Sequence, residues 1–573
     1  MRIFKLVPLA CAALMMGACA SENEGNGGNT NESANEQYLA VNIMNVGTTP
    51  TRTAPGTYED GTTNESKIEL IRFYFYNADG TPYIMKNSPG TTAAGTKANW
   101  LQATTSKDGE DKPNTIEQIT KSILVIDGET AAAPAKVVAI VNPGTLTTTT
   151  LGNGSVTLAD LRSTLEDTQF NKNKGASAVE FVMSNSVYEK DAASVCETSI
   201  SGHVTNSSTT AEANPVNIYV ERVVAKVKAN LNTTTTTAEP FKLGDGTNWE
   251  ATKYGIKVGT YNSTTDVYAV IDGWGVADEN GTAKLEKQID PTWTDTSLGI
   301  TTWSTSDYKR SFWETSVAFT GTNKLVNHKF TDYTSNAINT TTSYLYTLPN
   351  TPTAAITSTN KYDNDLTKFL VVAHLKYQDG ATWKNAEICH YKGIDYLGVE
   401  NLKTQIANEC GVYVQSATTP VTYTKITKAD ITFTKSASAK DYQVVPKLVD
   451  DSKTYYVNTG TISAPVYTTK TAADINTEFD KSPAQVRTEG KVYYFIPIKH
   501  LGNANTLAEY GIVRNHLYNI TLDKIVGFGT PVYDPDQIID PTVPVDENTY
   551  LAARINVLQW RVVKQNVDLD YSK

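Results

Sequence analysis

Charge is scarce in this chain. Lys, Arg, Asp and Glu make up 19% of 573 residues, below the ~25% of an average soluble domain. The charge present leans acidic, 61 carboxylates against 50 bases for a net of −11, which argues against a general nucleic-acid binder. Five cysteines with no C-x-x-C spacing build neither a zinc ribbon nor a disulfide framework. The six histidines (203, 328, 374, 390, 500 and 516) are too scattered to read a metal triad. Apolar runs are short, and none approaches the ~18 continuous residues of a membrane helix. The signatures H-E-x-x-H, G-x-x-x-x-G-K-[ST] and G-x-S-x-G are missing, so no catalysis, cofactor or metal is expected. With 40% hydrophobic residues and no short repeat, collagen, coiled coil and wholesale disorder are excluded.

What fills the gap is Thr, Asn, Ser and Tyr, with 31 Tyr against 14 Phe. That mix favours strands and turns over charged amphipathic helices. The length suits three to four ordinary domains or two large β-rich ones.

The first residues address export. Arg2 and Lys5 precede an apolar stretch from Leu6 to Met16, then Gly17, Ala18 and Cys19. At about 11 residues the stretch is too short to span a bilayer and reads as a secretory segment. A cysteine after two small residues resembles a bacterial lipobox, which makes Cys19 the lipidation candidate; Met16 stands where such boxes more often carry Leu. The alternative is a standard signal peptide with an incidental cysteine. Residues 20–37 hold four acids, no base and no large apolar side chain, and so read as a flexible tether. Cys196, Cys389 and Cys410 read as buried free thiols, with one Cys389–Cys410 bridge as the alternative.

Alternation at Leu39, Val41 and Ile43 predicts a half-buried strand. The Gly/Pro/Thr stretch from Gly47 to Gly56, which contains Arg52, breaks structure. Further strands are expected at 68–76, 123–126, 136–141, 181–185, 218–231, 254–271, 369–377, 493–498 and 516–522. Thr157 with leucines at 158, 161 and 165 predicts a helix, and Val399, Leu402 and Ile406 suggest another. The bare run Thr233 to Thr237 marks a domain boundary. Residues 531–549, rich in Pro and Asp, read as an extended linker that could reach roughly 60 Å at ~3.1 Å per residue. Beyond it Ile555, Val557, Val563, Val567, Leu569 and Tyr571 share one parity. Burying six such side chains supplies on the order of 9–18 kcal/mol, as though the tail were built for a groove on another molecule.

Several small features were weighed for chemistry. Gly527-Phe528-Gly529 begins a dinucleotide fingerprint, but Val532 replaces its third glycine, so a turn between strands is the better reading. Cys389 and His390 are adjacent on a strand and point to opposite faces. Asp534, Asp536 and Asp540 could hold calcium weakly, against a solvated linker. Trp249, Trp274, Trp293, Trp303 and Trp313 could line a sugar platform, against a core role.

The block Tyr510-Gly-Ile-Val-Arg514-Asn515-His516-Leu-Tyr518, the preceding Tyr494-Phe-Ile-Pro497 and the closing strand resemble Bacteroidales fimbrillins, the type V pilins. Val220-Glu-Arg-Val-Val-Ala-Lys226-Val, Ala139-Ile-Val-Asn142 and Phe181-Val-Met183-Ser resemble the first domain of that family. Within the group the chain is most similar to major subunits of short fimbriae. The resemblance implies an all-β fold with few short helices: two tandem transthyretin-like or immunoglobulin-like β-sandwiches with a C-terminal donor strand. It divides the chain into a signal peptide (1–18), a propeptide with lipid tether and removable strand (19–52), and domains at 53–232 and 233–530. A linker (531–549) and a donor tail (550–573) follow. It also implies cleavage by an Arg-specific surface protease between Arg52 and Thr53. The strand bearing Leu39, Val41 and Ile43 then leaves, and a neighbour's tail fills the exposed groove by strand addition. The implied partners are identical subunits in a homopolymer, accessory tip and anchor fimbrillins, and unidentified surface ligands. Contact with a membrane is expected only through the precursor lipid, on the outer membrane, before the mature form joins extracellular fimbriae. The competing expectations are a tip or accessory adhesin and a surface glycan-binding lipoprotein.

Overall fold

The computed structural model describes residues 37–45, 57–58, 65, 67–86, 97–104, 118–148, 151–152, 154–166, 181–186, 188–190, 193–231, 239–243, 248–301, 303, 312–338, 344–357, 366–541, 550–558 and 561–564. The chain is mostly β-strand, with a few short helices. No described helix is long and apolar enough to cross a membrane.

The first half is organised by one large sheet. Its strands run in the order Trp100–Thr104, Leu70–Tyr76, Lys136–Val141, Met183–Asn185, Val216–Arg222, Gln37–Asn45 and Gln118–Ile126. The β-branched and aromatic density of Leu70–Tyr76 and Lys136–Val141 explains why they sit inside it, almost wholly buried. One face packs Phe73, Phe75, Val137, Ala139, Ile218 and Val220 into a core. The other buries Tyr74, Trp100, Val138, Ile140, Phe181 and Val224.

The stretch 218–231, expected as strand throughout, is two strands. Val216–Arg222 belongs to the first sheet, and Ala225–Leu231 pairs with Tyr344–Thr347 and, in parallel, with Leu517–Val526. The chain therefore changes sheets at Val223–Val224, before the threonine run at 233–237. The helix expected over 157–165 is a single turn, Leu158–Leu161, capped by Thr157. Thr164–Glu166 instead forms a strand with Thr282–Lys284 of the second half, so a long-range pairing overrides the local leucine stripe.

The second half is a two-sheet sandwich. One sheet runs Glu239–Leu243, Asn248–Tyr261, Thr265–Ala277, Lys368–Asp379, Lys491–Pro497 and Thr530–Pro531. It packs Val267, Ala269, Val371, Ala373 and Val492 against Val227, Ala229, Ile520 and Leu522 of the other. Within Thr265–Ala277 the register shifts between Ile271 and Gly273. Tyr333 lies so close there that a Cβ on Gly273 would meet its carbonyl oxygen at 2.2 Å. The Gly527–Gly529 segment is the turn the sequence suggests, with both glycines at positive φ.

Between Thr382–Asn385 and Lys491–Pro497 lies a module the sequence did not reveal, residues 386–486. It has three small sheets and the helices Val399–Glu409 and Ala472–Phe479. Leu402, Ile406, Val412, Ile431, Tyr455 and Phe479 form its own core. The first of these helices is the one expected from Val399, Leu402 and Ile406.

The linker expectation needs correcting over its first half. Pro531 pairs with Val492, and the Val532 amide donates to Lys491 O at 3.0 Å. The Tyr533 hydroxyl donates to Phe433 O at 3.2 Å, and buried Ile539 donates its amide to His328 O at 3.0 Å. Side chains at 532 and 539 that can be buried hold this segment down, although prolines flank it. Residues 542–549 lie outside the described residues.

Candidate functional site

The amino-terminal strand Gln37–Asn45 occupies an inner position of the first sheet. It runs antiparallel to Gln118–Ile126, with Leu39 opposite Leu124, and parallel to Val216–Arg222, with Val41 opposite Val216 and Ile43 opposite Ile218. Leu39, Val41 and Ile43 are fully buried against Phe73, Leu124, Val216 and Ile218. The strand is buried on its second face too, where Tyr38 and Ala40 meet Ala211. A backbone pair also ties Tyr38 to Thr205, at 2.7 and 3.0 Å. It is thus more enclosed than the half-buried strand that alternation suggests. Burial of three aliphatic side chains is worth about 5–9 kcal/mol in total. Among the described residues Gln118–Ile126 pairs with no other strand, so the segment fills a two-sided slot.

The carboxyl-terminal tail lies in a different sheet of the same chain. Tyr550–Leu558 runs antiparallel to Leu517–Val526, placing Ile555 opposite Ile520 and Val557 opposite Tyr518. Arg561–Lys564 turns back so that Val563 faces Val557, and its far side meets Thr57–Tyr58. Cys19, Arg52, Thr53, Val567, Leu569 and Tyr571 lie outside the described residues.

Between the two halves is a buried charged joint, and it collects the motif residues quoted above. Lys226 Nζ lies 2.6 Å from Glu65 Oε1, with both side chains almost inaccessible to solvent. Arg222 donates through Nε to the Glu65 carbonyl at 2.6 Å and through Nη1 to Asn515 Oδ1 at 2.9 Å. The Tyr346 hydroxyl donates to Glu65 Oε1. Burial would raise the Glu65 carboxyl, but Lys226, Tyr346 and Arg222 together hold it below its usual range. Burial lowers the Arg222 guanidinium to about 10. Arg514 grips Glu314 at 2.7 Å and donates to Leu285 O at 2.9 Å and Lys284 O at 2.8 Å. Beside it, Arg162 reaches Glu197 and, at 3.5 Å, Glu286. Burial, reinforced by Glu197, pushes the Glu286 carboxyl up to about 8. Nothing local in the sequence flags this joint; the one available signal is charge inside strand-like runs, as at Glu221-Arg222 and Lys226.

The remaining candidates resolve as follows. Cys196, Cys389 and Cys410 are free, the first two buried and the third half-buried. The Cys389 thiol is pushed up to about 12 by burial, and His390 turns instead to Asp395, at 2.8 Å. Trp303 and Trp313 are core residues with Trp293 packed beside them, and Trp274 is buried in the separate core of the second-half sandwich, so these four form no open platform. The side chain of Trp249 lies outside the described residues. Asp536 and Asp540 lie 3.7 Å from Lys329 and Lys324, and no group of potential metal ligands occurs among the described residues.

Residues 486–566 match the family described as Major fimbrial subunit protein type IV, Fimbrillin, C-terminal. That region spans the strand Lys491–Pro497, the Arg514-Asn515 corner and the first part of the tail. No curated protein sequence matches the chain. Among solved structures, a fimbrilin from Porphyromonas gingivalis W83 is 12% identical with a TM-score of 0.36, over 92% of this chain and 98% of that one. A tip fimbrial protein from Porphyromonas gingivalis, truncated at its C-terminus, is 9% identical with a TM-score of 0.30, over 90% and 99%. A fimbrial assembly protein from Parabacteroides distasonis is 12% identical with a TM-score of 0.23, over 74% and 99%.

Proposed function

We propose that this chain is a structural pilin without catalytic activity, closest in role to the major subunit of short fimbriae. It polymerises by protease-triggered strand exchange into a surface fimbria that serves adhesion, colonisation and biofilm formation. In this reading the precursor is a lipoprotein held at the outer membrane through Cys19. An Arg-specific protease cuts between Arg52 and Thr53, the strand carrying Leu39, Val41 and Ile43 leaves, and a neighbour's tail enters with Ile555, Val557, Val563, Val567, Leu569 and Tyr571.

The observation that carries the reading is the position of Gln37–Asn45 between two strands, Gln118–Ile126 and Val216–Arg222, that among the described residues do not pair with each other. A segment upstream of a single arginine in a Gly/Pro/Thr loop supplies an inner strand. Its loss exposes two unpaired edges and an apolar floor, which water does not tolerate. A tail of alternating apolar residues on the same chain has the composition to replace it. Such head-to-tail contact does not close on itself, so a filament follows, with identical subunits along it and accessory tip and anchor subunits at its ends. The match of residues 486–566 to the fimbrillin C-terminal family supports the same reading.

Treating purified precursor with an Arg-specific protease and running unheated gels tests it. High-order ladders should appear, and they should vanish on deleting residues 550–573 or on substituting Arg52→Ala. Persistent monomers from the intact precursor, or undiminished ladders from either variant, would contradict the reading.

A further inference from the structure

We propose that the side chains of Lys287 and Glu221 condense to an amide, a covalent cross-link between the two halves of the chain. Glu221 stands on the strand Val216–Arg222 of the first sheet, opposite Ser184. Lys287 follows the strand Thr282–Lys284 of the second half. Lys287 Nζ and Glu221 Oε2 lie 3.7 Å apart, and both side chains are 0% exposed.

The surroundings of the lysine set this pair apart. An ammonium carries three donors, yet that of Lys287 makes no hydrogen bond among the described residues. Lys226 and Lys368, buried as well, each donate to a carboxylate, Glu65 and Asp278. Holding a charge in a dry site without hydrogen bonds is costly, and an amide in its place carries no charge. The backbone beside the lysine is fixed. Cys196 Sγ donates to Lys287 O at 3.1 Å, and Ser184 Oγ and Arg514 Nη1 donate to Leu285 O at 2.7 and 2.9 Å. Groups held in contact react as though highly concentrated, at roughly 10⁵–10⁸ M when well oriented. Cys196 does not compete as a nucleophile. Burial, reinforced by Glu286 and Glu221, holds its thiol well above the ordinary range.

The step needs no co-reactant. A proton passes from the Lys287 ammonium to the Glu221 carboxylate, leaving a neutral amine beside a neutral carboxyl group. The amine lone pair attacks Glu221 Cδ and forms the C–N bond. The adduct then breaks one C–O bond, and that hydroxyl leaves as water with a proton from the nitrogen. Nothing is oxidised or reduced. The product braces Val216–Arg222, which flanks Gln37–Asn45, against the second half. On the pilin reading, this wall of the slot then stays in place when the amino-terminal strand departs. The bond itself does not depend on that reading, and its absence leaves the reading untouched.

Tryptic digestion of the full-length chain, read by mass spectrometry, tests the proposal. Trypsin does not cut after an acylated lysine, so residues 191–222 and 285–309 should emerge as one branched peptide. It should be lighter than its two parts by one water, and fragmentation should place the join at Glu221 and Lys287. Lys287→Arg keeps the positive charge but offers no amine to acylate. That variant should lose the branched peptide, and the missing water should return to the mass of the intact chain. Should the variant fail to fold, the digest of the native chain still decides. Recovery of 191–222 and 285–287 as separate peptides, with no branched product, would overturn the proposal. So would a missing water that persists in Lys287→Arg.

Discussion

Glu65 shows how much a single side chain can commit. Its carboxylate takes Lys226 and Tyr346, and its carbonyl takes Arg222, all out of reach of water. Breaking one partner of a buried ion pair leaves the other charge desolvated, at about 3–5 kcal/mol. Lys226→Met should therefore lower the unfolding free energy by about that much in urea titration. A loss below ~1 kcal/mol would mean that water reaches Glu65. Glu286 makes the opposite case, since it is most comfortable protonated. Its folded carboxyl ionises near 8, while the unfolded chain ionises in the ordinary range near 4.5. Across that interval the folded state holds a proton that the unfolded state has released, so stability falls as pH rises toward 8. Glu286→Gln should flatten that slope in melts between pH 5 and 9. An unchanged slope would place the titration elsewhere.

At the scale of elements, the strand Gln37–Asn45 is the one to probe. Leu39→Ala removes a fully buried side chain and should cost the precursor about 2–5 kcal/mol. Because the strand is then held less firmly, ladders should also form faster after cleavage; slower ladders would argue that departure of this strand does not limit assembly. The same strand shows what sequence can convey. Alternation at 39, 41 and 43 is local and unmistakable, as are the dense apolar runs 70–76 and 136–141 and the stripe at 399, 402 and 406. The leucines at 158, 161 and 165 misled because their partner, Thr282–Lys284, lies more than a hundred positions away. Module 386–486 escaped notice because its strands are short and polar-rich, with a core shared among three small sheets. The charged joint was hidden by distance instead: Glu65 and Lys226 stand 161 positions apart, and only the charge inside the strand-like run at 221–226 hints at it. The candidate slot was legible as a strand, but its inner position between 118–126 and 216–222 was not.

For the molecule as a whole, the two ends matter most. The slot in the first sheet is filled by the chain's own beginning, while its end rests on Leu517–Val526 in the other half. Thr57–Tyr58, only a few residues past Arg52, pairs with the returning tail strand Arg561–Lys564. In sequence Arg52 lies between the strand that fills the slot, Gln37–Asn45, and the segment that pairs with the tail, Thr57–Tyr58, so excision there would separate the two. Because residues 530–541 are docked, a linker of the kind proposed could begin only after Pro541, which shortens the expected reach of about 60 Å at ~3.1 Å per residue. The central claim is that one subunit's tail enters the slot of another, and a cysteine cross-link reads this directly. Subunits carrying Leu124→Cys are mixed with subunits carrying single cysteines along 551–558, cleaved at Arg52 and oxidised. The account predicts disulfides between subunits, confined to alternate tail positions and absent without cleavage. Polymers that form with no such link at any tail position would contradict it.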